Sequence, residues 1–243
     1  MANHLDLEEQ EQLDQLKHFW KQYGNLITWA LILVMGLFAS WNFYQYWQRS
    51  QASQAAAMYD EVERVVKLDD SAKTDRVFED MKDRFASTTY AQQAGLLVAK
   101  QYYSLGKVDA TKSALNWVAN KSSDPGYQAI AKLRLAAVLM DTKAFDEALA
   151  LLAGSIPSGF EALFADRRGD IFLLQGKKPE AVAEYEKAFK NFEVRTEYRR
   201  LVEVKLNSLG VDPQSTTVAS SGVDSKNGAA APAVASSAAE GKK

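Results

Sequence analysis

The 243-residue chain predicts an all-α protein in which a single N-terminal transmembrane helix is followed by a solenoid of stacked helical hairpins. Three observations predict this class. Residues 22–48 contain no charged side chain, and 26–43 are apolar apart from Thr28, Ser40 and Asn42. From residue 50 to about residue 210 the pattern reads as helix throughout. Three consecutive helical pairs also share an internal spacing, with the small residues Ala99, Ala136 and Gly169 lying 37 and 33 positions apart; a fixed period of this size marks stacked repeats. The implied organisation is a leader (1–21), a span (22–48), a helical domain (49–212) and a low-complexity tail (213–243).

The leader reads as a short polar helix. Asp6 and Glu9 have the spacing of a capping box, with Asp in place of the usual Ser or Thr, and Leu13, Leu16 and Trp20 recur at helical spacing. It is either a solvated helix lying at the interface or a docking peptide for a partner on that side. The span after it is long enough to cross a hydrocarbon core of roughly 30 Å at about 1.5 Å per residue. Aromatic rings bound it: Trp20, Tyr23 and Trp29 at one end, and Trp41, Tyr44, Tyr46 and Trp47 at the other. Such rings favour the headgroup level, where one edge is wet and the body apolar. A long polar leader and an apolar run beyond signal-peptide length predict that the anchor is retained. Lys17 and Lys21 before the span are balanced by Arg49 and Arg64 after it, so charge does not decide the orientation. Within the span, Gly36 and Ser40 form a small-xxx-small pair at which a second membrane helix can approach closely.

Residues 51–67 carry Met58, Val62, Val65 and Val66 toward one side, and no Gly or Pro separates them from the span. Asp69-Asp70-Ser71 supplies an N-cap for a helix with Val77, Phe78, Met81 and Phe85 as its apolar stripe, and Thr88-Thr89 starts the next. In the last of the three pairs, Gly169, Phe172, Ala181 and Tyr185 match in order and spacing the small and aromatic positions of a tetratricopeptide repeat, and Pro179 falls where a first-turn proline is tolerated. The middle pair offers Ala136, Leu139, Phe145, Ala148 and Leu152, and the first Ala99, Tyr102, Gly106 and Leu115. A helical hairpin cannot bury its own apolar face, so each stacks on the next. The competing architecture is an unrelated antiparallel bundle. A final helix over 196–209, stopped by Gly210 and Pro213, fits a terminal cap. Its apolar side is expected to hold Tyr198, Leu201, Val202 and Leu209. The tail has no large apolar residue beyond valine, a composition that predicts disorder.

Composition narrows function. Net charge is −2, which gives no general electrostatic reason to expect nucleic acid. There is no cysteine, and both histidines, His4 and His18, precede the span. The helical domain therefore lacks thiolates and imidazoles, the commonest nucleophile, base and metal ligands. No cofactor and no enzyme activity are expected. If the hairpins stack as tetratricopeptide repeats do, the first helix of each pair lines a groove. Motif position then assigns Leu96, Lys100 and Tyr103 to the groove in the first pair, Leu133, Ala137 and Met140 in the second, and Asp166, Asp170 and Leu173 in the third. Their spacing of three and four puts each trio on one helical face; the alternative is that some are core positions. The last third concentrates Arg167, Arg168, Lys177, Lys178, Lys187, Lys190, Arg195, Arg199 and Arg200, either a solvated face or a surface for an acidic partner.

The stretches WALILVMGLFASWNFYQYW and GDIFLLQGKKPEAVAEYEKA, behind an acidic leader, resemble the YfgM family over about residues 1–210. The resemblance implies a single-pass bacterial inner-membrane protein ancillary to the SecYEG translocon, with a cytoplasmic N-terminus and a periplasmic helical domain. It further implies contact with translocating polypeptides and with a membrane-anchored periplasmic chaperone of the prolyl-isomerase type. It brings no catalytic residue. The expected function is thus a membrane-anchored interaction module, with a scaffold for cell-envelope or cell-wall assembly as the alternative.

Overall fold

A computed structural model describes residues 7–213, and the Asp6 cap and the low-complexity tail lie outside them. Nine α-helices occur among these residues: α1 (Leu7–Lys67), α2 (Ser71–Phe85), α3 (Thr89–Ser104), α4 (Val108–Lys121), α5 (Pro125–Asp141), α6 (Phe145–Leu152), α7 (Glu161–Leu174), α8 (Lys178–Asn191) and α9 (Glu197–Ser208). The fold is all-α, as the sequence predicts.

Helix α1 is unbroken for 61 residues. It contains the apolar run, the one segment among the described residues long and apolar enough to cross a membrane. Every side chain from residue 28 to residue 44 is exposed, including Leu33, Phe38 and Trp41. The absence of Gly and Pro after the span has its consequence here: the helix continues to Lys67, where Asp69 takes a left-handed conformation (φ 51°) and ends it. Asp70 then caps α2, its carboxylate accepting the Lys73 N–H at 3.1 Å. The Lys73 ammonium, hydrogen-bonded to the same carboxylate, and after it this backbone N–H hold the Asp70 carboxyl below its usual range. Thr88 caps α3 in the same way through the Ala91 N–H.

The described helices divide into two compact units, with the boundary between Asp124 and Pro125. In the first, the distal part of α1 packs on α2 and α3, and α3 on α4. Its core holds Ala55, Val62 and Val65 from α1, Phe78, Met81 and Phe85 from α2, Ala94, Val98 and Tyr102 from α3, and Leu115 and Val118 from α4, all nearly inaccessible to solvent. Met58 and Val66 of the expected stripe are half-buried at its edges. In the second unit α5 pairs with α6, α7 with α8, and α9 covers α8. Tyr185, Phe189, Val202 and Leu206 form its centre with Ala165, Ala181 and Ala188. The apolar side of α9 differs from expectation at one place: Leu201 is exposed, and Leu206 is buried beside Val202 instead.

The three hairpins close with one turn repeated three times. Gly106, Lys143 and Gly176 each adopt positive φ (70°, 59° and 78°). Their N–H groups donate to the carbonyls of Tyr103, Met140 and Leu173, and the next N–H groups along the chain to Tyr102, Leu139 and Phe172, at 2.8–3.0 Å. This pair of bonds satisfies the last carbonyls of the first helix, and its left-handed residue is ordinarily glycine. The turns recur at the same 37- and 33-residue intervals as Ala99, Ala136 and Gly169, so backbone geometry and side-chain spacing give one register. Gly169 is needed for close approach: a Cβ there would fall 2.6 Å from the ring carbons of Tyr185, which is fully buried.

Candidate interaction surface

The nine groove positions sort differently in each hairpin. On α3, Leu96 is buried, whereas Lys100 is exposed and Tyr103 half exposed. These two stand one turn apart near the C-terminal end of the helix, a cationic tip beside a broad ring. On α5, Leu133, Ala137 and Met140 are all half-buried along one face. They present an apolar strip with no charged group of its own.

On α7 the trio is largely covered. Asp166 is buried, with 1 % of its surface accessible. Its carboxylate accepts from the Lys205 ammonium at 2.7 Å and from the Tyr198 hydroxyl at 2.9 Å, both from α9. Asp170 accepts from Lys205 at 2.7 Å and from the Tyr185 hydroxyl at 2.7 Å, with Arg167 3.8 Å away. Leu173 alone of the three remains open, next to the exposed Leu174. The acidic pair is therefore the seat of the terminal helix, and Asp166 is removed from any groove. Burying a carboxylate without a partner is costly, and two cations and two hydroxyls on two acids meet that need.

Burial, with the neighbouring carboxylates, raises the phenols of this region. The Tyr185 hydroxyl is held well above the ordinary phenol range by burial and by Asp170. Tyr198 is pushed up to about 12 by burial and by the charge of Asp166. In the first unit, Tyr102 is likewise raised by burial and by Asp75, to which its hydroxyl donates. All three tyrosines act as donors between helices: Tyr102 from α3 to α2, Tyr185 from α8 to α7 and Tyr198 from α9 to α7.

Much of the positive charge of the last third is also used locally. Arg168 donates to Glu184 at 2.8 Å and to the Leu152 carbonyl at 3.2 Å, and Lys187 pairs with Glu184 at 2.6 Å. Arg199 stacks 3.8 Å over the Phe189 ring and donates to its carbonyl. Sequence reasoning missed these roles because pairing across helices depends on the fold. One signal was present: Tyr198 and Lys205, seven residues apart, lie on one face of the last helix.

In the span, a Cβ at Gly36 would meet nothing within 4 Å, and the Ser40 hydroxyl donates to the Gly36 carbonyl at 2.8 Å. The helix surface at Gly36 is thus open, and the Ser40 hydroxyl is satisfied within the helix. No group of three or more His, Cys, Asp or Glu side chains suited to a metal occurs among the described residues.

A family model described as "Tetratricopeptide repeat-like domain" matches residues 17–211. The chain is similar to a protein of Neisseria gonorrhoeae named "Ancillary SecYEG translocon subunit", 31 % identical over 86 % of this chain and 100 % of the relative. Proteins of the same name from Haemophilus influenzae (32 % identical, covering 84 % of this chain and 98 % of the relative) and Escherichia coli (26 %, covering 84 % and 97 %) match over similar lengths. No solved structure matches the chain. The match from the apolar helix through the last hairpin, at this identity and coverage, places the chain in the YfgM family of tetratricopeptide repeat-like proteins.

Proposed function

We propose that the chain is a membrane-anchored adaptor at the SecYEG translocon, with no chemistry of its own. The observation that carries this reading is end-to-end similarity: relatives named as ancillary SecYEG translocon subunits align over nearly their whole length, anchor and hairpins alike. The physical features agree. One apolar helix confines the protein to the bilayer, and confinement raises the effective concentration of nearby partners so that weak contacts suffice. Tyr103 and Lys100 on α3 and the strip Leu133–Ala137–Met140 on α5 are the surfaces for translocating polypeptides or for a membrane-anchored chaperone of the prolyl-isomerase type. In this reading the N-terminus is cytoplasmic, the hairpins are periplasmic, and the face at Gly36 and Ser40 receives a transmembrane helix of the channel.

Photo-crosslinkers at Tyr103 and Met140 of the full chain in native membranes test the proposal. Adducts with translocon subunits, secretory chains or a periplasmic chaperone are expected. Adducts confined to cell-wall enzymes would overturn it in favour of an envelope scaffold. Purification in mild detergent free of any translocon component, with the channel intact, would also count against it.

A further inference from the structure

We infer that the end of the first unit nearest the anchor rests on the lipid headgroup layer, with Arg84 and Lys121 reaching lipid phosphates. The inference rests on α1 spanning the bilayer and concerns what the unit does just outside it. Along the span even small residues such as Ala30, Gly36 and Ala39 are exposed. Past its end, Ser50, Gln51 and Ala52 are half-buried and Ala55 is fully buried. Packing against the unit is therefore established within seven residues of Gln48, or about 10 Å of helix rise. The headgroup layer of one leaflet is roughly 5–7 Å thick. No linker separates the unit from the membrane.

The hydrogen bonds and ring contacts fix which end faces the lipid. Lys107 Nζ donates to Ser71 Oγ at 2.7 Å, joining the α3–α4 turn to the start of α2 at the end far from the anchor. Gln101 Nε2 donates to the Val66 carbonyl at 3.1 Å, and the Tyr90 ring lies 6.1 Å from that of Tyr59. Helix α3 therefore runs away from the span, whereas α2 and α4 run back toward it. The Ser122 hydroxyl donates to Gln92 Oε1 at 2.7 Å, fixing the end of α4 beside the start of α3. Descending about 21 Å from Ser71, α2 reaches the level of residues 53–55 of α1. Its last turn, the bend at Ser87 and the C-terminal end of α4 form the rim.

Arg84 and Lys121 are exposed on that rim, with Arg49 close by on α1. Asp83 and Asp124 lie at the same end, so net charge is small. The helix supplies proximity, and single cation–phosphate pairs supply the contact.

The absence of cysteine makes the test direct, because one introduced thiol carries the only label. Ser87→Cys and Ser104→Cys, separated by about 22 Å along α3, receive a fluorophore in the otherwise intact chain. Each is reconstituted into phosphatidylcholine–phosphatidylglycerol vesicles containing headgroup-spin-labelled lipid in both leaflets. Quenching at Ser87→Cys at least threefold that at Ser104→Cys is expected, falling by about half when Arg84→Glu and Lys121→Glu are added. Equal quenching at the two labels in fully incorporated protein overturns the inference. Unchanged quenching after the charge reversals overturns the assignment to those two cations. Extraction of the chain from vesicles by alkaline carbonate overturns the membrane span, and with it this contact.

Discussion

Leu96, Lys100 and Tyr103 on α3 correspond, seventy residues earlier and in register, to Asp166, Asp170 and Leu173 on α7. The two helices have the same motif positions and the same closing turn, yet they present different surfaces. On α3 the polar member of the trio is a solvated cation beside an exposed ring. On α7 the equivalent face carries two carboxylates, and the terminal helix descends on them with Lys205 and Tyr198. The difference teaches that a repeat's inner face is open or closed according to the helix packed after it. The contrast is sharpest at the middle position: Lys100 is solvated on α3, whereas Asp170 is engaged by Lys205 of the last helix, and the first position is buried in both, by an apolar side chain in one and an ion-paired acid in the other.

The largest effect that sharpens this contrast is expected at the closed face. Asp166→Ala leaves the Lys205 and Tyr198 donors short of a buried acceptor and should cost about 3 kcal/mol. Lys100→Ala on the open face should stay within about 0.5 kcal/mol. Denaturant unfolding of the full chain in micelles measures both, and equal losses would mean the two faces are not differently used. Next comes the hairpin interior. Gly169→Ala drives a methyl into the Tyr185 ring and should cost about 2 kcal/mol by overpacking. The first two hairpins place Ala99 with Leu115 and Ala136 with Leu152 at the corresponding positions. Tyr185→Leu added to Gly169→Ala should therefore recover part of the loss, and failure to do so would dissolve the equivalence of the three pairs.

A smaller effect is set by pH. Tyr198 has its folded value raised above the unfolded phenol value near 10. Its contribution is complete below pH 10 and is lost as pH rises through about 12, because the unfolded chain releases the proton first. Thermal unfolding midpoints should fall over that window, and Tyr198→Phe should flatten part of the fall. An unchanged slope would place the loss elsewhere. The smallest effect is a gain. Lys143 takes the left-handed position that glycine fills in the other two turns, so Lys143→Gly should stabilise by about 1 kcal/mol. A loss there would show that the Lys143 side chain has a role that Gly106 and Gly176 do not share.

Much of the architecture was legible because it rests on local chemistry. The Asp70 and Thr88 caps, the uninterrupted run from the span to Lys67, and the small residues at 99, 136 and 169 all depend on neighbours in sequence. The repeat register was legible because stacking imposes a period. The candidate surface was less so. Motif position assigned Asp166 and Asp170 to a groove, but a repeat pattern carries no information about the element that ends the stack. The partners of Asp166 are 32 and 39 residues away. Leu201 is exposed and Leu206 buried for a related reason: which apolar residues of α9 are covered depends on the helix it packs against.

The unbroken course of α1 makes the anchor a lever. Tyr103 stands near the level of Val66 and Lys67, about 28 Å beyond the end of the apolar run. Membrane helices tilt by about 20° on average, and tilt adjusts to bilayer thickness. A change of roughly 10° would swing that tip sideways by about 5 Å. The reach of the first hairpin along the membrane plane is in this way coupled to the thickness of the lipid that holds its root.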